Sequence, residues 1–129
     1  MASELRVNTL KDASGNNSIA TSFVARGSAK GWINFDGTAT FDGSDTEIRD
    51  SFNITSTIDN DPGIYTMSYT SVFSDADYSP TTGAGGSGYT DRHLTLSVLT
   101  SSSLKVVEQT ESTTQDVLIC TVHSLGDLA

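Results

Sequence analysis

The chain has 129 residues, a formal net charge of −9 and a sequence pI near 4.3. Its seven basic residues are spread singly, with no basic stripe to neutralise phosphates, which excludes nucleic acid and an anionic membrane surface as partners. At 36% hydrophobic residues it has enough for one core and little surplus, and no apolar run reaches membrane-spanning length, which excludes membrane insertion.

Ser and Thr together exceed a quarter of the residues. With Gly, Asp and spaced Val, Ile, Leu and Phe, they suit short strands joined by tight turns. The cheap helix formers are too sparse for a helical bundle. Cys120, the only cysteine, lies in the apolar run from Val117 and reads as a small core residue without a disulfide. The opening Met1-Ala2-Ser3-Glu4-Leu5-Arg6 lacks the basic and apolar regions of a signal peptide, so synthesis in a cytoplasm is expected. A homomeric assembly would supply burial that one chain lacks.

In chain order, residues 1–28 form a polar leader that reads as an N-terminal attachment and intersubunit arm, with residues 29–129 as the main domain. Leu5 and Val7 alternate as in a half-buried strand. Leu10 follows, and then a turn over Asp12-Ala13-Ser14-Gly15-Asn16-Asn17. Ile19 to Val24 suits a strand or one helical turn. From Lys30 strand signals recur. Gly31 to Phe35 alternates, with Trp32 on one face and Ile33 and Phe35 on the other, before the tight-turn pair Asp36-Gly37. Thr38 to Phe41 reads as a short continuation, closed by Asp42-Gly43-Ser44-Asp45. Ile48 to Ile58 reads as one long strand with Phe52, Ile54 and Ser56 on a shared face. Asp59 to Gly63 is the clearest turn, and Ile64 to Tyr69 returns as a hairpin arm. Phe73 to Tyr78 then leads to a flexible Gly-rich loop, Thr81 to Gly88. Further strands are predicted at His93 to Leu99 and Leu104 to Val107, joined through Thr100 to Ser103. A polar loop, Glu108 to Gln115, precedes a last strand, Val117 to His123. The pattern predicts an all-β chain: an antiparallel β-sandwich or jelly-roll-like domain with an extended N-terminal arm.

Catalytic and cofactor motifs are wanting. Gly83 to Gly88 has the letters of a dinucleotide loop but no preceding strand and following helix, so no nucleotide is expected. Tyr89 stands where a nucleophile elbow needs its second glycine. His93 and His123 are the only bases for neutral pH, and both sit in strand-like stretches. Cys/His zinc clusters are absent. Asp36, Asp42, Asp45 and Glu47, like Asp59 and Asp61, lack the spacing of the helix-loop-helix calcium motif, and turn formation accounts for them. The expectation is therefore no enzyme, no metal and no cofactor. Most aromatics read as core. Tyr78 and Tyr89, flanking the Gly-rich loop, read as an exposed pair suited to a sugar ring.

Three stretches carry a family resemblance. They are Glu4 to Asn17, then Gly27-Ser28-Ala29-Lys30-Gly31-Trp32-Ile33-Asn34-Phe35-Asp36-Gly37-Thr38, then Ile48 to Ser56 with Gly63-Ile64-Tyr65-Thr66. Together they resemble tail-fibre-type virion proteins of tailed bacteriophages, especially marine and cyanobacterial phages, over about residues 4 to 78. The resemblance implies an N-terminal segment that attaches to the particle, with Leu5, Val7 and Leu10 as assembly contacts. It also implies a core block from Trp32 to Phe35 and a β-rich part assembling as a homotrimer within the virion. The chain is too short for a long shaft, so a compact knob or adaptor is expected, its partners being itself, other virion proteins and a host surface glycan. Recognition is expected in polar loops: Thr81 to Tyr89 with Tyr78, Thr81, Ser87 and Tyr89; Thr100 to Ser103 with Ser102; and Glu108 to Gln115 with Thr113. A capsid decoration protein that stabilises the head is the alternative.

Overall fold

The computed structural model describes residues 6–41, 47–86, 92–109 and 114–129. Among these, period-two runs become strands that bury alternate residues. Strand β3 (Ala29–Phe35) buries Ile33 and Phe35, and β6 (Ile64–Tyr69) buries Tyr65, Met67 and Tyr69. In β9 (Ser103–Gln109) Leu104, Val106 and Glu108 point inward, and in β10 (Ile119–Leu125) Cys120, Val122 and Ser124 do. Such alternation marks a sheet packed on one face and open on the other.

Two four-stranded antiparallel sheets result, completed by β4 (Ile48–Phe52), β5 (Ile54–Asp61), β7 (Ser79–Gly85) and β8 (His93–Leu99). The first sheet runs β4-β3-β10-β7 and the second β5-β6-β9-β8. The core lies between them and stacks its aromatics edge to face. Phe35 meets Tyr65 at 5.0 Å between centroids, and Tyr69 meets Phe73 at 4.9 Å. The all-β sandwich expectation therefore holds.

Ile48 to Ile58 is not one strand. Asn53 adopts φ 59°, a left-handed conformation in which asparagine is among the few tolerated residues, and the chain passes there from one sheet to the other. Asn53 Nδ2 donates to the Lys30 and Ser71 carbonyls (2.8 and 2.9 Å), and its Oδ1 accepts from the Ser71 amide at 2.6 Å. That break puts Phe52 in solvent while Ile54 packs on the core, so the two do not share a face. The Pro62-Gly63 turn joins β5 to β6 as expected. Gly63 sits at φ +72°, and an added Cβ would come within 2.7 Å of the Gln115 carbonyl.

Other local expectations change. Thr38 to Phe41 is turn and coil, held by Asp36, whose Oδ1 accepts from the Thr38 amide at 2.9 Å. The Gly-rich stretch is strand β7 through Gly85, because β10 offers it a full antiparallel ladder from Ile119↔Gly85 to Leu125↔Ser79. Glu108 belongs to β9 and is buried.

The described part of the leader, residues 6–28, folds locally. Strands β1 (Thr9–Lys11) and β2 (Ser18–Ala20) pair around a turn with Gly15 at φ +72°. The helix α1 (Thr21–Gly27) follows, so Ile19 to Val24 is strand first and helix after.

Candidate functional site

Cross-strand partners in an antiparallel ladder point the same way. In the first sheet, Phe52 pairs with Trp32, Trp32 with His123, and His123 with Thr81. Trp32 is out of phase with buried Ile33 and Phe35, so this row lies on the outer face. Phe52 is 55% exposed, Trp32 is half-buried between its neighbours, and His123 and Thr81 are exposed. The adjoining row is polar: Asp50, Asn34, Thr121 and Gly83. Gly83 and Gly85 keep the β7 side low, since a Cβ at Gly83 would meet Thr121 Oγ1 at 2.7 Å. The whole is an aromatic shelf bordered by carboxylate, amide and hydroxyl groups.

Trp32 therefore stands outside the core block that the family resemblance implied. The period-two pattern of Gly31 to Phe35 already set it opposite Ile33 and Phe35, and that was the signal that could have found it. No comparable signal marks Phe52, whose exposure depends on the conformation of Asn53.

Tyr78, expected at the surface, is 6% exposed. Its ring stacks on Phe73 at 4.1 Å, and its hydroxyl donates to the Ser103 carbonyl at 3.1 Å. A second aromatic cluster at this end of the core needed a large ring, and burial pushes the phenol pKa up. Thr81 is exposed, but as part of the shelf and not of a loop. Ser102 is exposed in the β8–β9 turn, which Thr100 Oγ1 braces by accepting from the Ser103 amide at 2.9 Å. Leu5, Ser87, Tyr89 and Thr113 lie outside the described residues.

The loops segregate to two ends. Gly37, Gly63, Glu108 and residues 115–117 meet at one end, through the Gly37 amide on the Val117 carbonyl (2.9 Å) and the Glu108 amide on the Gly63 carbonyl (2.7 Å). The Gly85 end of β7 lies on that side, opposite Ile119. The Thr100–Ser103 turn is at the opposite end, bonded to Tyr69 and Phe73. Chain continuity puts the leader there too, and Arg26 reaches Asp127 at 3.6 Å. The leader exposes Val7, Leu10, Ile19, Phe23 and Val24, and α1 buries no residue. Leu10 and Ile19 face each other across its hairpin.

Two polar networks hold the loop end. Glu108, fully buried, accepts from Arg92 Nη1 (2.9 Å) and from the Gln115 amide (2.8 Å), and Arg92 Nη2 donates to Gln115 Oε1 at 2.5 Å. Tyr65 Oη lies 2.9 Å from Asp116 Oδ1 and 3.1 Å from the Gly37 carbonyl; burial first, then that carboxylate, raises its pKa. Burial also pushes the Cys120 thiol up to about 12, which makes it a poor nucleophile. Neither His93 nor His123 is hydrogen-bonded, among the described residues, to a nucleophilic side chain. Among the described residues, no three His, Cys, Asp or Glu side chains converge on a cation position. Comparisons with protein-family models, curated proteins and solved structures return no match.

Proposed function

We propose that this chain is a non-catalytic structural protein of a phage virion, of the tail-fibre knob or adaptor type, which helps the particle hold a host surface by multivalent binding. The observation that carries this reading is the Phe52–Trp32–His123–Thr81 row on an open sheet face. A pyranose presents an apolar C–H face suited to an indole and hydroxyls suited to Asn34, Asp50 and Thr121 beside it. Each contact is weak, and repetition over identical copies multiplies it. The leader's uncovered apolar residues suit a segment that packs against another copy or a neighbouring virion protein. The sequence resemblance points the same way.

Trp32 is the only tryptophan, so its fluorescence reports directly on the shelf. Titration with host-surface polysaccharide is expected to change that emission saturably, and Trp32→Ala is expected to abolish binding while leaving a folded sandwich. Unchanged emission, or wild-type binding by Trp32→Ala, would sink the glycan reading. Antibody labelling of purified particles is expected at the tail. Label spread over the head would replace the proposal with capsid decoration.

A further inference from the structure

A cleft of about 580 Å³ opens at the sandwich edge where β4 and β5 part. Its lining includes Phe41, Glu47, Ile48, Asp50, Ile54 and Thr57. Glu47 is only 3% exposed, yet among the described residues its Oε2 has no hydrogen-bond partner, and Thr57 Oγ1 beside the same cleft is also buried without one. Buried polar atoms are seldom left so, because each forgoes water without compensation. The nearest base along the chain, Arg49, is committed elsewhere: it donates to the Phe35 and Leu118 carbonyls (2.8 and 2.6 Å), to Asp36 Oδ2 (3.1 Å) and to Asn34 Oδ1 (3.3 Å). Glu47 is itself held in place, its carbonyl accepting from the Asp36 amide at 2.7 Å.

We infer that this cleft receives a lysine or arginine side chain from a partner protein. The chemistry is that of an alkyl stem with a cationic head. Ile48 and Ile54, both packed on the core, offer an apolar floor for methylenes, and Phe41 offers an aromatic wall. Glu47 Oε2 and Thr57 Oγ1 are acceptors in want of donors, which an ammonium or guanidinium supplies. The chain's charge of −9 favours the approach of a basic partner. The volume is many times the roughly 30 Å³ share of one water molecule, so a side chain fits where a bare ion would rattle. The contact is with a protein; the cleft shares Asp50 with the polar border of the glycan shelf but none of the Phe52–Trp32–His123–Thr81 row.

The test is an NMR titration of the full-length ¹⁵N-labelled chain with Nα-acetyl-lysine methylamide and its arginine counterpart. Saturable shifts are expected at the amides of Glu47, Ile48, Ile54 and Thr57. Glu47→Gln should weaken them about tenfold or more, the scale of losing one charge-assisted hydrogen bond. Thr57→Val should weaken them less. The Nζ-acetylated lysine probe, which keeps the stem and loses the cation, should give none. Without probe, Glu47→Gln should melt no lower than the parent, since Oε2 has no partner to lose. The inference is overturned by an absence of saturable shifts, by equal response to the acetylated probe or a methyl glycoside, or by a Glu47→Gln variant that binds like the parent. A lower melting point for Glu47→Gln would make the carboxylate an internal acceptor and overturn it as well.

Discussion

Arg92→Met should be among the most damaging single changes at the loop end. Glu108 has no exposed surface, and Arg92 is only 14% exposed, so their ion pair is shielded from water. Removing the guanidinium leaves a buried carboxylate with the Gln115 amide as its remaining partner in the network described. Breaking one side of a buried pair costs about 3–5 kcal/mol, against a total stability on the order of 5–15 kcal/mol for a domain. With a urea m-value of about 2 kcal/mol/M, the unfolding midpoint should fall by roughly 2 M. Urea is the denaturant of choice because guanidinium would screen the pair. The double variant Arg92→Met/Glu108→Leu removes both charges and should recover to within about 2 kcal/mol of the parent, since apolar replacement of a buried pair is often neutral. A single variant losing less than about 1 kcal/mol, or a double variant worse than the single, would refute the reasoning.

Two further outcomes are expected. Asn53→Ala should cost about 2–4 kcal/mol in urea unfolding, from lost hydrogen bonds plus left-handed strain; Asn53→Gly, which relieves only the strain, should be milder, and equal losses would contradict the role given to φ 59°. Stability should decline as pH rises above about 9, because Cys120, Tyr65 and Tyr78 have raised pKa values in the fold, so the unfolded chain releases their protons first. Each then removes up to about 1.4 kcal/mol per pH unit between its unfolded and folded pKa. Urea midpoints at successive alkaline pH values check this, and a flat profile to about pH 11 would contradict it.

Much of the sandwich was legible because its strands alternate cleanly. Ile64 to Tyr69 and Leu104 to Val107 carry their inward residues at every second position, and Pro62-Gly63 names its own turn. The failures have separate physical causes. Strand β7 sets two threonines among Pro, Ala and two glycines, which are weakly β-prone, and the β10 ladder makes it a strand. Asn53 hides a sheet crossing inside a run that reads as continuous, because left-handed strain leaves no mark on hydrophobic period. Tyr78 was misplaced since neighbouring glycines suggest exposure, whereas Phe73 and Tyr69 demanded a third ring. Glu108 defied its polarity because Arg92 lies far from it along the chain and meets it only in the fold. The shelf was half legible: Trp32 was in phase with solvent, but its companions come from three other strands.

On the proposed reading, how copies would meet is constrained by the sheet edges. Strands β4 and β5 flank one edge and both carry register shifts, β8 shifts between Leu96 and Val98, and β7 carries Pro80. Bulges and proline discourage edge-to-edge pairing. That leaves the sheet faces and the leader for assembly, and the leader is the more weakly integrated part. Its helix buries nothing, and its Arg26 meets Asp127 of the sandwich in an exposed ion pair. Deleting residues 1–28 should therefore change the urea midpoint of the sandwich by no more than about 1 kcal/mol equivalent. On the proposed reading the same deletion yields a monomer by light scattering. That monomer should keep the parent's affinity for a short soluble glycan, because Trp32 is untouched, and lose about 100-fold or more on a dense glycan surface, where avidity acts. A truncated chain that still self-associates would move the assembly contact onto a sheet face. Equal loss on both ligands would mean that the leader, rather than the shelf, touches the sugar.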